Sequence, residues 1–443
     1  MLGSNRADVG VKPAAPRAAR IGSSKLAGLW TNPLLMAAAR RIAFIGFVLS
    51  ILVTTTLAQQ IHGVQDQTTL NPPPKTVFSD WKEVASTDFT VTYELQFESA
   101  FDSKIRENDR VKVTAVLPSV RSGPVPVVIL LHYWGATDNS LELAIANQLT
   151  HRGMAAVIMP LPYHLSRTPR GYRSGELAIQ PDTDKLIATT RQSLLDVRRT
   201  LDWIETKSEF NKNAIGISGT SLGSIISALT FGIDDRIKAS SFALGGVDLS
   251  HILWHSSAVV IEREALRRKG LTEEKMTEIL APVEPLNYLP GVPDRPTLVI
   301  GARHDTIIPN KATEELIRAT GSKNVVWLDS GHYGGFVVQS KIEKLIVRFF
   351  DAVLHGQEYK APNSVYTPTI RVGAQYNGDS ALQVAGGIDI WRYDAKGTGF
   401  ASALLTPKGV QGYLGYKINR ELSFGLAFTR RKTTWGLFWS VVL

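Results

Sequence analysis

The feature that most limits how this chain can fold is a series of short, almost wholly apolar runs at 126–131 (PVVILL), 154–159 (MAAVIM), 214–217 (AIGI), 239–244 (ASSFAL), 297–300 (TLVI) and 324–328 (NVVWL). A strand with water on one face alternates polar and apolar residues, so runs without alternation are strands covered on both faces. Helical stretches separate them, near 139–151, 184–207, 222–231, 256–269, 272–280, 311–320 and 339–355. In the second stretch Ile187, Leu194, Val197, Leu201 and Ile204 recur at helical spacing, which buries one face. Buried strands alternating with helices predict an α/β fold: a mostly parallel sheet of eight strands with helices on both faces. The alternating segments 88–97 and 110–117 suit an antiparallel pair at its edge.

Composition removes several chemistries. The 443 residues include no cysteine, which excludes disulfides, cysteine-ligated zinc and a thiol nucleophile together. The net charge of +9 suggests nucleic acid until it is divided along the chain. Residues 1–41 carry +6 and residues 360–443 another +6, which leaves −3 for 59–359. The middle is mildly acidic, so no nucleic-acid partner is expected. Arg40 and Arg41 precede an uncharged apolar run from Ile42 to Val53, and Thr56-Leu57-Ala58 supplies small residues for cleavage. This pattern predicts a signal peptide within an N-terminal extension, 1–58, with the mature chain starting near Gln59; the alternative is an uncleaved membrane anchor over 42–58. The chain is therefore expected to be exported, to the periplasm or the extracellular space. A linker over 59–87 follows, then a catalytic domain over 88–359 and a β-rich segment over 360–443.

The strand at 214–217 runs into Gly219-Thr220-Ser221-Leu222-Gly223 and then into a helix. A serine at the apex of a strand-to-helix turn is held exposed and strained, and the glycines let strand and helix approach without a Cβ clash. Further on, the run at 297–300 leads to Gly301-Ala302-Arg303-His304-Asp305, and 324–328 leads to Ser330-Gly331-His332. Residues from about 88 to 355 resemble an α/β-hydrolase, in the group of dienelactone-hydrolase-like and acetyl-esterase-like serine esterases. The resemblance implies Ser221 as nucleophile, Asp305 as acid and His332 as base, in the Ser…Asp…His order of that fold. His304 and Asp329 are the nearest competitors. The oxyanion hole would take the Leu222 amide and one from His132-Tyr133-Trp134-Gly135, where the family commonly has His-Gly-x-Gly. Tyr133 in place of the first glycine leaves the second donor open between Tyr133 and Trp134.

Residues 160–176 form a Pro- and Arg-rich loop at the sheet edge where ligands bind in such folds, so His132, Tyr163, His164, Arg167 and Arg173 are candidates to meet substrate. His251 and His255 stand four apart, the spacing of a metal pair, but no acid or third histidine completes a motif in sequence. They are assigned to a small helical cap over 250–281, too charged for a lipase-like groove. No cofactor and no metal are expected. After Pro362 the pattern is β only, in five segments, with Trp435 to Leu443 similar to an outer-membrane strand. A small antiparallel sheet or sandwich is expected there, with a basic surface able to touch the cell envelope. Together these features predict an exported serine hydrolase of carboxylic esters, acting on a small-molecule or carbohydrate ester. The rivals are a serine peptidase of the prolyl-oligopeptidase type, for which the residues upstream of 88 leave no room for a propeller, and a non-catalytic envelope-binding protein.

Overall fold

The computed structural model describes residue 70 and residues 78–291, 295–378, 382–393, 398–419 and 421–443. The chain divides into two compact units, Met1–Asp66 and Gln67–Leu443, and the first, with the expected signal segment, lies outside the described residues.

In the second unit a ten-stranded sheet carries β1 (Lys82–Ser86), β2 (Thr90–Glu98), β3 (Arg110–Pro118), β4 (Val125–Leu131), β5 (Ala155–Ile158), β6 (Phe210–Thr220), β7 (Ile237–Ala243), β8 (Thr297–Ala302), β9 (Asn324–Leu328) and β10 (Ser364–Val365). Their spatial order is β1-β2-β3-β5-β4-β6-β7-β8-β9-β10. β1, β2 and β3 pair antiparallel, as do β3 and β5, and every pair from β5 to β10 is parallel. Two strands exceed the expected eight. β1 lies in the expected linker and is exposed along its whole length, so it has no apolar rhythm to betray it. β10 has only two residues and extends the sheet past the expected domain boundary.

The main helices are α1 (Ser140–Thr150), α2 (Thr183–Thr206), α3 (Leu222–Ile233), α4 (Leu249–His255), α5 (Val260–Arg268), α6 (Glu273–Leu280), α7 (Asn310–Thr320) and α8 (Gln339–Leu354). Strand β4 shows why the runs lack alternation. Val127, Ile129 and Leu131 enter one core with Ile204 of α2 and Phe231 of α3, while Val128 and Leu130 enter the opposite core with Phe349 and Phe350 of α8. Deleting a ring such as Phe350 from a layer this closely packed costs about 3–5 kcal/mol.

The C-terminal segment is a closed barrel, not an open sheet or sandwich. Its strands are β11 (Ile370–Asn377), β12 (Gln383–Arg392), β13 (Gly399–Thr406), β14 (Gly409–Lys417), β15 (Leu422–Phe428) and β16 (Thr433–Val442), with β16 pairing back onto β11. β13 is the strand missing from the five expected segments. Closure depends on backbone approach at Gly387 and Gly425, where a Cβ would collide with the Ala403 and Leu414 carbonyls.

Candidate active site

Strand β6 delivers Ser221 to the turn before α3. Its φ of 54° and ψ of −113° are a strained conformation for a residue with a side chain. The turn closes only because a Cβ at Gly219 would strike the Gly223 backbone, and one at Gly223 would strike the carbonyls of Leu131 and His132. The second contact also places the loop after β4 directly against the start of α3. Ser221 itself is held by its N–H bond to the Ala243 carbonyl at 2.8 Å.

Asp305 follows β8. Its Oδ1 accepts from the N–H groups of Ile307 and Ile308, both at 2.8 Å, which fixes the carboxylate plane. The other oxygen, Oδ2, accepts from His332 Nδ1 at 2.7 Å. With its proton on Nδ1, the imidazole presents Nε2 as an acceptor, and Ser221 Oγ lies 3.0 Å from it. All three side chains are buried to within a tenth of their surface. The two competitors point elsewhere. Asp329 pairs with Arg303 and Arg392 at 3.2 and 3.3 Å. His304 faces Arg392 at 3.4 Å, and burial, then the cations of Lys417, Arg371 and Arg392, push its pKa down to about 3.

Among the described residues the amides of Leu222, Tyr133 and Trp134 have no backbone acceptor, as donors kept for a ligand would not. The Tyr133 ring meets Phe336 edge-on at 5.5 Å, and Tyr333 meets His332 edge-on at 5.9 Å. Tyr333 and Phe336 thus wall the site beside Tyr133. Neither is expected from sequence, where the only signal is that both follow His332 within four residues. Trp134 turns the other way, donating Nε1–H to the Gly175 carbonyl at 2.8 Å and packing against the cap.

Several expected substrate contacts prove to be internal. His132 donates Nδ1–H to the Tyr133 carbonyl at 2.8 Å and accepts the Leu161 amide on Nε2 at 2.9 Å; desolvation lowers its pKa to about 4. It is a neutral strut within the loop that follows β4. His164 is equally buried, with Nδ1 on the Pro162 carbonyl at 2.8 Å, and burial holds its pKa near 3. Arg167 is wholly inside the protein, bonded to the carbonyls of Asn108 and Pro160 and paired with Asp196 at 2.7 Å. Tyr163 is half-buried with a positive φ, and its amide is held by Asn108. Arg173 points into solvent beside Glu176.

Helices α4, α5 and α6 occupy the stretch assigned to a cap. Beneath it lies an apolar cavity of about 100 Å³, lined by Leu222, Ile225, Leu249, Leu253, Leu186 and Ile179 among others. The acid that the His251–His255 pair lacks in sequence comes from α6: Glu273 binds His251 Nδ1 at 2.9 Å and His255 Nε2 at 3.0 Å. Among the described residues this is the one group whose ligand atoms, within 4.8 Å of one another, could hold a metal ion. Without one, it ties α4 to α6.

The fold is that of an α/β-hydrolase, and comparisons with known proteins place the chain's similarity in that superfamily. Residues 54–240 match the family model "Alpha/beta hydrolase domain containing 18". An uncharacterized protein of Mycobacterium tuberculosis is 27% identical over 220 residues, 48% of this chain and 51% of that protein, so the match spans about half the length of this curated relative. Among solved structures, an acetyl xylan esterase from Paenibacillus sp. R4 superposes with a TM-score of 0.50 at 18% identity, covering 64% of this chain and 91% of the other. Acetyl xylan esterase 1 from Thermoanaerobacterium sp. JW/SL YS485 gives 0.50 at 14% identity, covering 64% and 92%. At such identities these two likenesses show the fold alone.

Proposed function

We propose that the protein is an exported serine hydrolase that cleaves short-chain carboxylic esters through an acyl-enzyme. The observation that carries this reading is the continuous hydrogen-bonded chain Asp305–His332–Ser221 at 2.7 and 3.0 Å. A serine hydroxyl is a weak nucleophile at neutral pH, and His332 Nε2 is placed to take its proton as Oγ bonds to the ester carbonyl carbon. The oxyanion that forms would sit against the Leu222 amide and an amide of the 133–134 pair. Collapse breaks the bond to the alcohol oxygen, which takes the proton from Nε2 and leaves. Water, deprotonated by the same imidazole, then releases the acid and restores Ser221. Asp305 keeps Nδ1 protonated throughout and stabilises the imidazolium.

The cavity next to Leu222 supports a short acyl group. It is apolar, small and lined in part by the cap helices, which suits a group of that size. The alcohol side opens toward Tyr133, Tyr333 and Phe336, surfaces suited to a sugar or an aromatic ring. The test is hydrolysis of p-nitrophenyl esters of graded length and of acetylated sugars by the wild type and Ser221→Ala. Acetate or propionate turnover lost in the variant is the expected result; equal turnover by both, or cleavage of peptides alone, overturns the reading.

A further inference from the structure

The C-terminal barrel carries an apolar outer wall around a lumen in which polar groups stand beside an apolar cluster. Its lumen holds the Arg371–Asp389 ion pair at 2.7 Å, Ser402 bonded to Asp389 at 2.6 Å, and the linked amides of Gln375, Gln383 and Gln411. Its wall, by contrast, exposes large apolar side chains from every strand, among them Tyr376, Ile388, Leu405, Leu414, Phe424 and Trp435. The charged residues in the six strands are few: Arg371 and Asp389 inside, and Arg392 and Lys417 at the end nearest the catalytic domain. Soluble barrels present a polar outer wall, and an apolar girdle of this extent has no reason to face water.

The girdle is rich in aromatic rings as well as aliphatic side chains: Tyr376, Phe428 and Trp435 lie toward the far end of their strands, Trp391, Tyr416 and Trp439 toward the catalytic domain, interspersed with Ile388, Leu414 and Leu426. Tyrosine and tryptophan on an otherwise aliphatic wall suit a surface that crosses from headgroups into hydrocarbon. At the far end, Lys408, Arg430, Arg431 and Lys432 line the barrel mouth. Strands of seven to ten residues reach roughly 20 Å at the usual tilt.

We propose that the wall of this barrel is immersed in the hydrocarbon of a phospholipid bilayer, with its cationic mouth at anionic headgroups, so that the barrel anchors the catalytic domain to a membrane. Closure favours lipid over a second protein chain, because a partner covers one sector of a cylinder and lipid covers all of it. The barrel is an anchor rather than a pore: Phe400, Tyr413 and Phe438 fill its lumen, and six strands are fewer than the eight of the smallest bacterial outer-membrane barrels.

Full-length protein, purified in detergent and diluted into vesicles of phosphatidylcholine with phosphatidylglycerol, tests this by flotation. The wild type should float and should resist both high-salt and alkaline carbonate washes. The double variant Leu414→Arg/Leu426→Arg puts two charges at cross-strand neighbours on the outer wall. It should keep its circular dichroism spectrum and thermal midpoint while vesicle capture falls about tenfold or more. A wild type that stays in the aqueous fraction overturns the proposal, as does one released by salt, or a variant that floats equally well. So does a lipid-free dimer that the variant converts to monomer, since the wall is then covered by a second copy.

Discussion

Gly331 donates its backbone N–H to the carbonyl oxygen of Leu443 at 2.8 Å, so the end of the barrel's last strand is hydrogen-bonded to the residue beside His332. The contact is reinforced nearby, where Thr369 Oγ1 bonds the Asp329 carbonyl at 2.5 Å and Arg392 pairs with Asp329. The loop that carries the imidazole is thus braced by another domain. A Cβ at Gly331 would collide with the Val442 carbonyl. Gly331→Ala should shift the loop and lower kcat on p-nitrophenyl acetate by about tenfold or more, with KM within about twofold, because a displacement near 1 Å is costly for chemistry and slight for binding. A kcat equal to that of the wild type would show that the brace is irrelevant to His332.

Asp305→Asn isolates the role of one oxygen. Asparagine can keep its Oδ1 on the amides of Ile307 and Ile308, which turns its NH₂ toward His332 Nδ1. The imidazole must then carry its proton on Nε2, facing Ser221, where it cannot act as a base. Turnover should fall on the order of 10⁴-fold with the thermal midpoint nearly unchanged. A fall of less than about tenfold would remove Asp305 from the proposed mechanism.

These elements differ in how openly the sequence displays them, and the reasons are physical. Ser221, Asp305 and His332 each follow an apolar strand, so their placement at one sheet edge follows from the topology. Arg167 departs from expectation because a charged residue in a Pro-rich loop normally faces solvent; its burial depends on Asp196, 29 residues away on α2. Glu273 is hidden as the partner of His251 and His255 because it lies on a separate helix. β13, rich in alanine and serine, lacks the bulky alternation that marks a strand. The barrel exposes a deeper limit: alternation with a period of two shows that a strand has two unlike faces, but not which of them faces inward.

The burial of Arg167 has a direct consequence. Replacing it with methionine leaves Asp196 buried, still bonded to Ser99 and Ala100 but without its cation. Breaking a buried pair on one side costs about 3–5 kcal/mol. Urea unfolding of Arg167→Met should show a loss of that order, while KM for short esters stays within about twofold in the folded fraction. A raised KM at unchanged stability would return Arg167 to the substrate.

Glu142 on α1 provides a test through pH. It is 2% exposed and its Oε2 is unpartnered; desolvation raises its pKa from 4.5 to about 7, and its charge is felt at Tyr133. Below pH 4.5 the carboxyl is protonated in both folded and unfolded chains, and burial imposes no ionic cost. As pH rises from there to about 7 the unfolded chain gives up the proton while the folded one retains it, so stability is lost across that window and stays lost above it. Glu142→Gln cannot ionise. It should therefore gain about 1–3 kcal/mol over the wild type at around pH 8, since each tenfold difference in proton affinity between the folded and unfolded chains is worth about 1.4 kcal/mol, and little at around pH 4.5. Urea midpoints at the two pH values measure the difference, and an equal offset at both would mean that the carboxyl is not held neutral in the fold.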